Sequence, residues 1–80
     1  MTKKEIKILQ DLEAEHYLIL QEVTHVLGYD SESVTLWRAR WGAYHNVLEK
    51  LGIESDMSND NNQKAIELMT KSFFKTEEDV

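Results

Sequence analysis

The sequence predicts an all-α fold: a long antiparallel helical hairpin, about residues 3–27 and 32–51, with a shorter third helix at about 61–75. Three observations lead there. Apolar residues recur at three- and four-residue steps over most of the chain, the period of a helix with one buried face. Proline is absent and glycine occurs three times in 80 residues, so little interrupts a helix. Gly28 and Gly52 stand where two of the periodic stretches run out, the position that favours glycine past a helix end.

The first helix starts at Thr2. "TKKE" is a capping box, with Thr2 as N-cap and Glu5 reaching back. Leu9, Leu12, His16, Ile19, Val23 and Val26 form one stripe, widened by Leu20 and Leu27. A rod of about 25 residues is roughly 38 Å long. The bend is Gly28-Tyr29-Asp30-Ser31, where Asp30 or Ser31 caps the second helix. Val34, Trp37, Trp41, Tyr44, Leu48 and Leu51 then repeat at helical spacing, and Leu36, Ala39, Ala43 and Val47 make a second apolar edge. So wide an apolar arc predicts that the second helix lies between two neighbours. Gly42, inside that helix, costs about 1 kcal/mol relative to Ala, which points either to another backbone passing close or to a cost the helix simply tolerates. After an acidic connector at 52–60, Asp60 with Gln63 marks a third start. Ala65, Ile66, Met69 and Phe73 are its stripe, with Leu68 at the edge and Phe74 facing away. This helix is expected to cover the second edge of helix two. Residues 76–80 read as a frayed tail, and residues 1–80 as a single domain.

Charge narrows the functions. The net charge is −6, which repels phosphate and disfavours broad affinity for nucleic acid or anionic membranes. Between Lys7 and Arg38 there is no Lys or Arg. That interval places Asp11, Glu15 and Glu22 on one side of helix one, with Leu18 beside them. We read these four residues as a candidate docking surface for a protein with a basic groove and an apolar pocket, such as a nuclease or another nucleic-acid-binding protein. Self-association as a homodimer is a further expectation, and a structural homo-oligomer an alternative function. No run approaches the ~20 apolar residues of a membrane span, the N-terminus lacks the apolar centre of a secretory leader, and cysteine is absent. A cytoplasmic location is therefore expected.

Chemistry finds little support. Glu13/His16 and Glu22/His25 both spell Glu-x-x-His, but they lie on one helix, and nine residues place the two histidines on opposite sides. No metal site follows. His16 reads as a polar member of the core stripe, His25 and His45 as surface residues. No nucleophile–base pair, glycine-rich phosphate loop or paired-carboxylate constellation is present. No catalytic residue, cofactor or metal is expected, and no enzyme.

Within roughly residues 21–42, the stretch "VTHVLGYDSESVTLWRARWG" from Val23 to Gly42 has Val23, Leu27, Gly28, Tyr29, Val34 and Trp37 at the buried and turn positions of a helix-turn-helix. In this it resembles the arabinose-operon-type regulators. That resemblance implies DNA binding, with Ser31, Thr35, Arg38 and Arg40 on the reading helix. Two helices with matched stripes and a short bend bury them best side by side, however, which is the hairpin. In size, acidity and lack of Cys and Pro the chain also resembles small acidic helical proteins of phages of Gram-positive bacteria, anti-CRISPR inhibitors of host nucleases among them. That resemblance implies an inhibitor or accessory role, with Asp11, Glu15, Leu18 and Glu22 as contacts.

Overall fold

Three helices account for the chain in the computed structural model: α1 (Lys3–Leu27), α2 (Glu32–Leu51) and α3 (Asp60–Glu78). The structure describes the backbone of residues 1–78 and the side chains of residues 1–71. There is no strand among the described residues. The expected positions of Phe73 and Phe74 lie outside the described side chains. α3 runs three residues past its predicted end at 75, through part of the segment expected to fray. The rest of that tail, residues 79–80, lies outside the description.

Local chemistry sets the ends. Thr2 Oγ1 accepts the Glu5 N–H at 3.1 Å, and Glu5 Oε1 accepts the Thr2 N–H at 3.0 Å. These bonds hold the Glu5 carboxyl below its usual pKa. Gly28 ends α1 at φ 84°, a region costly for other residues. Of the two caps expected for α2, Ser31 serves, accepting the Ser33 N–H at 3.2 Å. Gly52 ends α2 in the left-handed conformation, and the Ile53 N–H closes back onto the Leu48 carbonyl at 2.9 Å. α3 is capped by Asn59 rather than by the predicted Asp60: Asn59 Oδ1 accepts the Asn61 N–H at 2.9 Å. A residue further back is the better cap because Asp56 and Ser58 form a tight turn just before it.

α1 and α2 form the antiparallel hairpin. Pairs across it keep one register, Tyr17 with Trp41 and Glu13 with His45, and past the end of α2 Gln10 meets Glu54 of the connector. α3 returns along the other side of α1, parallel to it, from Asn59 beside Asp11 to Met69 beside Tyr17. The central helix is therefore α1, and not α2 as the width of the α2 apolar arc predicts. α1 packs against both neighbours, while α2 and α3 make no packing contact among the described residues. The connector decides this. Gln10 Nε2 donates to the Glu54 carbonyl, Lys7 pairs with Asp56 at 3.6 Å, and Asn59 donates to Asp11. Its polar atoms are anchored on α1, so the chain re-enters on the α1 side.

The result is close to a single layer, with extents of 49 × 26 × 15 Å. Its radius of gyration is 13.9 Å, against about 11.6 Å for a compact domain of this length. Among the described side chains few apolar ones are buried: Ala14, Leu20, Val34, Leu48 and Ala65. Trp37, Trp41 and Tyr44 are half-buried. Val26, Leu27 and Leu51, expected in the stripes, are exposed, because they sit at the rod ends beyond the reach of a neighbour. The second edge of α2, Leu36, Ala39, Ala43 and Val47, is also exposed, since α3 lies elsewhere.

Nor does a backbone pass close to Gly42. A Cβ built there meets nothing within 4 Å. Gly42→Ala is therefore expected to raise stability by about 0.5–1 kcal/mol through helix propensity alone. A thermal melt followed by circular dichroism checks it; a lowered midpoint would mean that the position is sterically constrained.

Candidate functional site

All four candidate contact residues line two adjoining grooves along the junction of α1 with the connector and α3. Asp11 and Glu15 border the first, with Lys7, Asp56, Asn59, Asp60 and Lys64, a volume of about 550 Å³. Leu18 and Glu22 border the second, about 340 Å³, with Lys64, Glu67, Leu68 and Lys71. Lys64 belongs to both. The structure thus brings the four together on one face, as their spacing on helix one requires.

It also changes their surroundings in two respects. Leu18, on a face whose acids would suggest full exposure, is half-buried, and Leu68 of α3 lines the same groove. And the acids are not without intrachain cations. Lys7 pairs with Asp11 at 3.2 Å, and Lys64 and Lys71 border the grooves. The sequence interval 8–37 lacks cations, but Lys7 sits one turn before Asp11, and α3 supplies the rest through space. Asp11 also accepts from Asn59 Nδ2 at 2.8 Å, so it holds the connector in place. Bonds to Asp11 raise the Lys7 pKa, and bonds from Ser58 lower that of Asp56. Glu15 and Glu22 remain exposed.

The residues of the DNA-reading alternative fall differently. The Ser31 hydroxyl is committed to the α2 cap. Thr35 and Arg38 are exposed, and Arg40 lies over the Trp37 ring at 5.0 Å from its centroid.

The most deeply buried polar side chain among the described residues is one that sequence reasoning missed. Glu13 is 2% exposed and lies between the helices. His45 Nδ1 donates to its Oε2 at 2.6 Å, and His45 Nε2 meets Glu49 Oε1 at 3.1 Å. Carboxylate oxygens only accept, so both contacts are hydrogen bonds only when the ring carries two protons. The bond to Glu13 accordingly raises the His45 pKa above its usual value. His45 is thus an interhelical residue, not the surface residue expected. Its ring stacks on Trp41 at 4.9 Å. Further along, His16 Nδ1 donates to the Leu12 carbonyl at 2.8 Å, and its ring packs 4.4 Å from Tyr44. Tyr17 joins all three helices: its ring meets Trp41 at 5.5 Å and its hydroxyl donates to Met69 Sδ. Burial raises the Tyr17 pKa. A signal for the Glu13–His45 pair did exist. Position 13 lies one turn from Leu9, at the edge of the stripe beside Leu20, and hairpin register sets it opposite 45.

Glu13, His45 and Glu49 do not form a metal site, and no group of three or more His, Cys, Asp or Glu residues suited to a metal occurs among the described residues. No described helix is long and apolar enough to cross a membrane. Comparison with protein-family models, curated proteins and solved structures gives no match.

Proposed function

We propose that the chain is a non-enzymatic protein-binding module that docks a basic protein surface in the α1–α3 grooves. One observation carries this reading: Asp11, Glu15, Leu18 and Glu22, chosen for charge and spacing, line two grooves that meet at Lys64. The second groove is lined by two leucines, Leu18 and Leu68, together with Glu22, Glu67, Lys64 and Lys71. A partner would insert an apolar side chain there while its cations meet Glu15, Glu22 and Glu67. Surfaces that bind nucleic acid have that character, which favours an inhibitor or accessory factor of a nucleic-acid-binding protein over direct DNA reading. The resemblance to acidic phage inhibitors points the same way.

The test exchanges Glu15 and Glu22, which are exposed, and leaves Asp11, which the fold uses. Glu15→Lys/Glu22→Lys should keep wild-type helicity. It should weaken binding to a protein captured by the wild type from host extract by at least tenfold, and wild-type binding should fall as salt rises, because exposed charges are screened. Unchanged binding by a folded variant, or a salt-sensitive shift of duplex DNA by the wild type, would overturn the reading.

A further inference from the structure

We propose that the outer edge of α2 is a homodimer interface, formed by two copies packing α2 against α2 about a two-fold axis between residues 41 and 42. This is independent of the groove reading, because the edge faces away from α1 and leaves the α1–α3 grooves open.

The edge is real surface. Leu36 is 51% exposed and Val47 43%, with Ala39 and Ala43 exposed between them. Val34, Trp41 and Leu48 face α1 from the other side of the helix, and α3 packs on α1 instead. The chain exposes 5870 Å², whereas a compact monomer of 9.4 kDa exposes about 5,000 Å². The excess is comparable to the ~800 Å² that each partner contributes to an interface of standard size.

The pattern on this edge complements itself. Leu36 and Val47 are about three turns apart, and Glu32 and Lys50 about five, so each pair shares one side of the helix. Antiparallel packing about the stated axis sets Leu36 against the second copy's Val47. Ala43 comes opposite the second copy's Arg40, whose guanidinium is held over its own Trp37. Glu32 and Lys50 lie on the same flank, and in antiparallel pairs a flank meets its own equivalent. Each Glu32 therefore comes within one residue, about 1.5 Å along the helix, of a Lys50, twice by symmetry. Neither residue has an ion-pair partner among the described residues of its own chain. Parallel packing would instead put the two Glu32 at one level and the two Lys50 at another, with no opposite charge in reach. Small side chains at 39 and 43 let the two backbones approach near the axis.

Sedimentation equilibrium on the full chain, over a micromolar to millimolar series, reads the mass directly. The wild type should move from one to two chains. Leu36→Glu/Val47→Glu should remain monomeric at every concentration while its circular dichroism stays helical. Glu32→Lys alone should weaken the dimer at least tenfold, and adding Lys50→Glu should restore it. That rescue is specific to the antiparallel register. A wild type that stays monomeric overturns the proposal. So does a dimer indifferent to the Leu36/Val47 pair, or one that the charge exchange does not restore.

Discussion

His45→Ala is expected to destabilise the hairpin by about 3 kcal/mol, most of the margin of a domain this small. The loss arises less from the missing imidazole than from Glu13, a carboxylate 2% exposed whose hydrogen-bond partner is His45. With the ring removed, that charge stays between α1 and α2 with nothing to meet it. Water entering past the half-exposed His45 position limits the cost to the lower part of the range for a broken buried pair. The companion Glu13→Leu/His45→Leu should recover most of the loss, since apolar groups of similar size need no partner there. Chemical denaturation of the wild type, Glu13→Leu, His45→Leu and the double variant gives the coupling energy. If the double variant is as unstable as the single, the pair is not what organises this region.

The same pair sets the direction of a pH dependence. Glu13 raises the His45 pKa on folding, so the folded chain holds this proton more tightly than the unfolded one. The associated stability is fully present below the unfolded value, near 6.5, and is lost as pH rises through the higher folded value. The melting temperature should therefore decline from mildly acidic to alkaline pH. His45→Gln should flatten that decline.

Leu48→Ala is the second large effect, expected at about 2–5 kcal/mol. Leu48 is 1% exposed and is the largest of the fully buried side chains among the described residues. In a thin layer few other apolar groups share the burden, and the neighbouring rods cannot collapse into the cavity without breaking the Glu13–His45 register. The variant should be largely unfolded at room temperature, with its helical circular dichroism lost. Leu51→Ala, one turn on, should change stability by less than about 0.5 kcal/mol, because Leu51 is 49% exposed. Equal losses at the two positions would mean that α2 presents a different face to α1.

Helix limits were legible in the residues because they depend on neighbours in the chain. The Thr2–Glu5 box, the Ser31 cap and the glycines at 28 and 52 act within a turn or two of themselves. So does the hairpin, since four residues between two long apolar stripes leave little choice but to fold back. The docking candidates followed for the same reason: Asp11, Glu15, Leu18 and Glu22 share a side of one rod wherever that rod lies.

The tertiary structure alone decided which helix is central. Stripe width pointed to α2, yet an apolar arc records only what would gain from cover, not what receives it. The connector's hydrogen bonds to Gln10 and Asp11, and its ion pair to Lys7, carried α3 to α1. Those contacts join residues more than forty positions apart, and no local period encodes them. From that one choice follow the exposed α2 edge, the groove that Leu18 shares with Leu68 and the lysines beside the acidic face. The Glu13–His45 pair belongs here too. Each residue alone reads as an ordinary polar side chain, and only the register of two helices converts them into a buried, proton-dependent bond.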